Sequence, residues 1–162
     1  MSLKVEKMEL EDCPFLNALR NECIDFLHDS RTFTVEQTKE WFKALSIPYY
    51  IIWINNERVG YVRLSNYENN SIYIGCDISP NHRRKGIAYM ALSMIIPRIF
   101  SEFPINKIYA EILAYNLASE NLYRKLGFQL ESVKKGCITK HNRLVDSLVM
   151  SFTKNYAQSN CI

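Results

Sequence analysis

Apolar positions along this chain follow two spacings, and each spacing is typical of one kind of element. Short stretches rich in β-branched and aromatic residues, bounded by polar turns, predict strands. These stretches lie at 3–10, 49–54, 58–64, 71–78, 106–113, 128–133 and 144–152. Apolar residues three and four positions apart predict helices. The helices are expected after Pro14, at 23–27, after Thr34, over 86–100 and over 118–126.

Local signals add detail to this pattern. Thr34 and Gln37 have the spacing of a capping box, which predicts that a helix begins after Thr34. Gly127 is placed to end the helix of 118–126. Pro97 lies inside the helical pattern of 86–100 and predicts a kink or an early end. The lysine-rich segment 134–143 is predicted to be a polar loop, and 154–162 a polar tail.

The order of the elements predicts the sheet. A helix joins the strands 71–78 and 106–113, and such a crossover requires these strands to be parallel. The remaining strands are expected to be antiparallel. The predicted fold class is therefore α/β, with a mixed, mostly antiparallel central sheet of about seven strands and helices on both faces. One domain is expected over residues 1–162.

Composition narrows the possible functions. The 162 residues carry a net charge of +3 with scattered basic side chains, which does not favour nucleic-acid binding. The five cysteines form no C-x-x-C pair and the three histidines lack ligand spacing, so neither disulfides nor a metal site are expected. There is no signal-peptide pattern and no apolar run of 18 residues. A cytoplasmic protein without membrane contact is expected.

A basic turn, NHRRKGIA at 81–88, lies between a predicted strand and a predicted helix. The first N–H groups of a helix have no intrahelical partner and carry partial positive charge. Gly86 and Ala88 would let the backbone approach a phosphate, and the three basic residues at 83–85 add charge. The turn therefore predicts a bound phosphate or pyrophosphate.

Two motifs in this region resemble those of one family. RRKGIA at 83–88 resembles the R/Q-x-x-G-x-G/A pyrophosphate loop of the Gcn5-related N-acetyltransferases (GNAT). NLASENLYRKLGF at 116–128 is similar to that family's second motif, N-x-x-S/A-x-x-L-Y-x-x-x-G-F. The motifs begin 33 residues apart, at 83 and 116, and the element order over roughly 3–152 also agrees. The chain is identified as a member of this family.

The resemblance implies acetyl coenzyme A as the acetyl donor, no metal, and a primary amine as the acceptor. In the family the two central strands splay apart and the pantetheine arm lies between them. Backbone N–H groups at the end of the first of these strands, here 75–78, polarise the thioester carbonyl. The cofactor-binding residues implied here are Ile78, Arg83, Arg84, Lys85, Gly86, Ile87, Ala88, Asn116, Ser119 and Tyr123.

Acetyl transfer needs a base for the amine and an acid for the leaving thiolate. Tyr123 occupies the family's tyrosine position, and a phenol of pKa about 10 can protonate a thiolate of pKa about 8.5. Glu111 is the best candidate for the base, and Asp77 is its rival. The alternatives without a catalytic role are a core aromatic for Tyr123 and a solvated or ion-paired carboxylate for Glu111.

The acceptor is expected to bind near 23–34 and 134–146. Four basic side chains of that late segment, Lys134, Lys135, Lys140 and Arg143, disfavour a polycation and favour an anionic amine such as a nucleotide-linked amino sugar. The pairing of Glu111 with Tyr123 instead resembles acetyltransferases of ribosomal-protein N-termini, so a peptide is the alternative acceptor. A sensor that binds coenzyme A without catalysis is the alternative of another class. Homodimers are common in the family.

Overall fold

The computed structural model describes residues 1–154, and one sheet connects most of this part of the chain. The strands are β1 (Leu3–Lys7), β2 (Tyr50–Ile54), β3 (Glu57–Glu68), β4 (Ser71–Ile78), β5 (Lys107–Leu113), β6 (Gln129–Lys140) and β7 (Arg143–Thr153). The helices are α1 (Cys13–Glu22), α2 (Val35–Lys43), α3 (Ile87–Glu102) and α4 (Leu117–Lys125). Strand order is β1-β2-β3-β4-β5-β7-β6. Of the tail predicted at 154–162, only Lys154 is among the described residues.

The sheet is mixed because only β4 and β5 run parallel, and every other pair is antiparallel. This confirms the predicted fold class and the crossover through α3. Strand residues alternate between two faces. One face packs on α3 and α4, with Ile72, Leu92 and Ile108 fully buried in the main core. The other face packs on α1, where Ile51 and Tyr61 form a second core with Leu16.

The central strands β4 and β5 pair over a short distance and then separate. Their register runs only from Ser71 opposite Lys107 to Tyr73 opposite Tyr109. Both strands continue past this point, β4 to Ile78 and β5 to Leu113. Backbone groups on the facing edges are therefore left without sheet partners, and a gap opens in the middle of the sheet. This is the splay that the family resemblance implied.

Three boundaries differ from the sequence-based predictions. Helix α3 continues through Pro97 to Glu102, because Ile95, Ile96 and Ile99 are buried in the core and hold the last turns in place. Residues 23–27 contain a short 3₁₀ turn instead of an α-helix. Strand β3 extends to Glu68, so the turn that follows is confined to two asparagines with positive φ, Asn69 and Asn70.

The predicted loop at 134–143 is wrong. Strand β6 runs on to Lys140 and turns into β7 through His141 and Asn142, whose φ angles are 49° and 61°. Such a two-residue turn is usually marked by glycine, which is absent here. The strand pattern is also interrupted, since the register of β6 on β7 shifts between Lys134 and Ile138, around Gly136. The segment is therefore a hairpin arm at the edge of the sheet.

Candidate active site

The gap between β4 and β5 is lined by residues of both strands and of the second sequence motif, 116–128. Gly75, Cys76 and Asp77 of β4 face Glu111 and Ile112 of β5 across it. Asn116, Ser119 and Tyr123 close it from α4. The strand end at 75–78 and the second motif, which the sequence indicated separately, thus meet at one site between the splayed strands.

The basic turn leads directly into α3. Gly86 is the N-cap with φ 75°, a left-handed conformation that disfavours other L-residues. The first helical hydrogen bond runs from Met90 N–H to Gly86 C=O, so the N–H groups before Met90 have no helical partner. Arg84 (φ 59°) and Lys85 are exposed beside them. An anion at this end of α3 would meet free N–H donors and two mobile cations.

Four other residues that were expected to bind the cofactor have structural contacts of their own. Arg83 folds back over the end of β4, where its Nε donates to Ile78 C=O at 2.9 Å and its Nη2 lies 3.3 Å from Cys23 Sγ. Its guanidinium is thereby held at the end of β4, and positions the turn. The side chains of Ile78 and Ile87 are buried in the core, and Ala88 packs against it. These three residues therefore offer backbone groups, not side chains, to a ligand.

Tyr123 lies at the bottom of the gap and is 4% exposed. Its ring packs edge-on against Phe128 at 5.0 Å. Its hydroxyl makes no hydrogen bond to residues 1–154, and it is not among their fully buried unpaired atoms. Burial raises the pKa of Tyr123, with the neighbouring Cys76 adding to the effect, so the phenol stays protonated. Asn116 is the N-cap of α4, and its side-chain oxygen accepts a hydrogen bond from Ser119 N–H at 3.3 Å.

The gap opens into a cavity of about 850 Å³ on the α1 and α2 side of the sheet. Glu111, Arg63 and Gly75 line both spaces and mark their junction. The cavity wall combines five aromatic rings with three arginines and four carboxylates: Phe33, Trp41, Tyr49, Tyr61, Tyr73, Arg20, Arg31, Arg63, Asp29, Glu36, Glu40 and Glu111.

Arg63 and Asp77 form an ion pair at this junction. Arg63 Nη1 lies 2.5 Å from Asp77 Oδ2, and the Asp77 side chain is only 10% exposed. Burial is the largest influence and lowers the pKa of Arg63, but Asp77 acting together with neighbouring tyrosines raises it, and the net shift is upward. The Asp77 carboxylate is thereby engaged by Arg63, and it lines the gap but not the cavity. The geometry therefore disfavours Asp77 as the base.

Glu111 is surrounded by cationic or titratable groups. Its Oε1 lies 3.0 Å from Lys134 Nζ and 3.7 Å from His28 Nε2. His28 Nε2 also forms a short contact with the buried hydroxyl of Ser147. Desolvation lowers the pKa of His28 despite the opposing charge of Glu111. Sequence reasoning missed His28 and Ser147, because they lie 119 residues apart and meet only when β7 packs beside β5.

The basic side chains of 134–143 do not line the cavity. Lys134 pairs with Glu111, and Lys135 Nζ lies 3.1 Å from Asp146 Oδ2. Lys140 is buried, and its Nζ donates to Ile24 C=O at 3.0 Å and to Ser30 Oγ at 2.6 Å. Three of the four charges that favoured an anionic acceptor are therefore paired within the protein, and the fourth, Arg143, does not line the cavity.

No helix within residues 1–154 combines the length and apolar character needed to cross a membrane. In the same part of the chain, no three His, Cys, Asp or Glu side chains are grouped so that they could hold a metal ion.

Solved structures share this fold. A ribosomal-protein-alanine N-acetyltransferase from Brucella melitensis superposes with a TM-score of 0.85 at 21% identity, over 93% of this chain and 99% of that one. The acetyltransferase yncA from Salmonella typhimurium, solved with acetyl-CoA, gives 0.85 at 19% identity, over 96% and 95%. These identities support similarity of fold.

Sequence comparisons point the same way. The uncharacterized N-acetyltransferase YoaA of Bacillus subtilis is 33% identical over 50% of this chain, and p20 of Bacillus licheniformis 32% over 54%. The matched parts span about half of those relatives, 46% and 49%. The spermidine N(1)-acetyltransferase of Escherichia coli is 25% identical over 80% of this chain and 74% of its own. Residues 2–129 match the family model described as an acetyltransferase (GNAT) domain. The chain therefore belongs to the GNAT acetyltransferase family.

Proposed function

We propose that this protein transfers the acetyl group of acetyl coenzyme A to a primary amine. The observation that carries the proposal is the junction of two spaces at Glu111. On one side lies the gap between β4 and β5, near the start of α3; on the other lies the 850 Å³ cavity. A donor in the gap and an amine in the cavity would meet at this junction, so that binding alone would bring the reacting atoms together.

The residues present fit coenzyme A. The free N–H groups before Met90 and the exposed Arg84 and Lys85 suit a pyrophosphate. The unpaired edges of β4 and β5 beyond Tyr73 suit an extended pantetheine arm, which carries amide groups. Bound there, coenzyme A would supply an activated acyl group and a good leaving group. Structural neighbours such as yncA hold acetyl-CoA.

Within this reaction we assign Tyr123 as the acid and place Glu111 where the amine loses its proton. Tyr123 is protonated, unpaired among the described residues and located in the gap, where a thiolate would leave. Glu111 is the carboxylate at the junction that is accessible to an amine, at 21% exposure of its side chain. Asp77 is set aside because Arg63 holds it.

For the acceptor, the cavity favours an amine without a strong negative charge. Its wall holds four carboxylates and three arginines, and Asp29 binds Arg31 through two close contacts of 2.9 and 2.7 Å. Neither a nucleotide-linked amino sugar nor a polycation would find a wall of opposite charge. A peptide with a free α-amine fits the size, the mixed charge and the aromatic surfaces, and is the acceptor that we favour.

An acceptor panel tests both parts of the proposal. Thiol release and amide formation would be followed with N-terminal peptides, spermidine and nucleotide-linked amino sugars. Turnover highest with peptides is expected. If turnover were highest with the sugar nucleotides, the acceptor would be an anionic amine, as the sequence predicted. If it were highest with spermidine, the acceptor would be a polyamine. Tight binding of coenzyme A without turnover on any amine would contradict the enzyme and favour a sensor.

A further inference from the structure

His28 occupies the position of a proton acceptor that no sequence motif assigns. It lies in the segment between α1 and α2 and lines the cavity. Glu111, beside it, lines the junction where an amine would meet the donor. An imidazole between a substrate cavity and a carboxylate has the arrangement of a base with its orienting partner.

The contacts of His28 distinguish its two ring nitrogens. Nε2 faces the Ser147 hydroxyl and lies 3.7 Å from Glu111 Oε1. An ionised carboxylate only accepts hydrogen bonds, so the negative field of Glu111 favours the tautomer with hydrogen on Nε2. Nδ1 then carries the lone pair. The His28 side chain is 34% exposed and lines the cavity, and its Nδ1 is not among the fully buried unpaired atoms of residues 1–154.

We propose that His28, not Glu111, takes the proton from the acceptor ammonium, through Nδ1, and that Glu111 is a positioning residue whose negative charge favours hydrogen on Nε2 and stabilises the imidazolium. The contact of its Oε1 with Lys134 at 3.0 Å fixes the Glu111 carboxylate near the ring, 3.7 Å from Nε2. Ser147 fixes the ring from β7. This inference rests on the proposed acetyl transfer and names the group that starts it.

The proton transfers of one turnover begin at the acceptor ammonium. His28 Nδ1 removes one proton from the ammonium, which leaves a neutral amine, and later passes that proton to solvent. The amine nitrogen forms its bond to the acetyl carbon as the carbon–sulfur bond breaks. The new amide nitrogen loses a second proton, while Tyr123 gives its hydroxyl proton to the thiolate and recovers one from solvent. One proton is released in each turnover.

The surroundings of His28 favour an imidazole that is unprotonated at neutral pH and can act as a base. Desolvation, together with Arg63 on β3 and with Lys134 and Lys140 on β6, lowers its pKa, and Glu111 on β5 opposes them. The net direction is downward from 6.5. His28 is therefore neutral and able to accept a proton above that pH. Loss of activity is expected only as the pH falls through its lowered pKa.

The test compares His28→Gln, Glu111→Gln and the control His141→Gln, whose histidine lies in the exposed β6–β7 turn. In His28→Gln, kcat/KM is expected to fall on the order of 10²-fold and to lose its acidic limb. Glu111→Gln is expected to keep that limb at a lower pH. Affinity for coenzyme A should be unchanged in all three. An acidic limb that persists in His28→Gln and vanishes in Glu111→Gln would overturn the proposal.

An NMR titration of the ring nitrogens gives a second readout that needs no turnover. His28 is expected to be neutral with hydrogen on Nε2, with a pKa below 6.5 that falls further in Glu111→Gln. Hydrogen on Nδ1, or a pKa that does not respond to Glu111→Gln, would overturn the assignment. If these NMR results hold while wild-type protein acetylates no amine, the proposed function fails and the role of His28 in it fails too. If wild type is active and the NMR results do not hold, only the His28 assignment fails.

Discussion

The guanidinium of Arg63 lies across the backbone of Gly75, in the space that a Cβ atom at residue 75 would need. A Cβ built there would be 2.4 Å from Arg63 Cζ. The two residues are direct partners in the β3–β4 register, so glycine is what lets the arginine cross β4 to reach Asp77. The ion pair at the junction of gap and cavity therefore depends on this glycine.

Gly75→Ala is expected to affect activity more than stability. The guanidinium is the end of a flexible side chain and can swing away, so the free energy of unfolding should fall by only about 1 kcal/mol. The swing would break the Arg63–Asp77 contact and obstruct the junction, and kcat/KM should fall at least about tenfold. Denaturant unfolding and steady-state kinetics measure the two effects. Ser65→Ala, on the same cavity wall, is the control, and equal kinetics in both variants would contradict the role of Gly75.

Tyr123→Phe tests the acid. Because the Tyr123 hydroxyl has no hydrogen bond to residues 1–154, the variant should keep the packing on Phe128 and the melting temperature. Its kcat should fall on the order of 10²-fold with unchanged affinity for coenzyme A. Since burial raises the pKa of Tyr123 above its ordinary 10, the wild-type kcat should show no decline from this group below pH 10. Tyr67→Phe, remote on β3, is the control, and a kcat for Tyr123→Phe equal to that of the control would rule out Tyr123 as the acid.

Two substitutions at Gly86 separate its backbone conformation from its lack of a side chain. Gly86→Ala would strain the φ of 75° by roughly 1–2 kcal/mol. Gly86→Asn should be tolerated better, because asparagine adopts left-handed φ more readily and an added Cβ meets no atom within 4 Å. Calorimetry is therefore expected to show weaker coenzyme A binding for alanine than for asparagine. Equal affinity of the two variants would refute a conformational role for this residue.

Lys140 tests whether the basic arm is structural. Lys140 Nζ holds Ile24 C=O and Ser30 Oγ and so fixes the segment that carries His28. Lys140→Met should lower the free energy of unfolding by about 1.5–3 kcal/mol and raise KM for the amine. Lys135→Met, at an exposed position on the same strand, should do neither. Thermal unfolding and acceptor kinetics check both. A Lys140→Met variant as stable as Lys135→Met would indicate that the buried contacts contribute little.

The sequence was most informative where the signal is local. The capping box of Thr34 with Gln37 is present as predicted, and so is the helix start after Gly86. The crossover through α3 followed from chain connectivity alone. These features depend on residues a few positions apart, which a single sequence displays directly.

The misses have a common physical cause. Pro97 predicts a kink or an early end of α3, but the helix continues to Glu102 because the packing of Ile96 and Ile99 in the core is a tertiary effect. The roles of Lys140 and Arg83 depend on partners more than 50 residues away, Ile24 and Cys23. Both side chains look like free cations in the sequence and are held by backbone or sulfur atoms in the fold. The same long separation concealed the contact between His28 and Ser147.

The proposed activity is acetyl transfer between the gap and the cavity, which meet at Glu111. The most direct measurement is the ratio of thiol released to acetylated amine formed by wild-type protein, with a peptide acceptor, followed alongside Tyr123→Phe. We expect one amide for each thiol, and the same ratio at a rate on the order of 10²-fold lower in the variant. Thiol release without amide, or no release above background with coenzyme A bound, would contradict it.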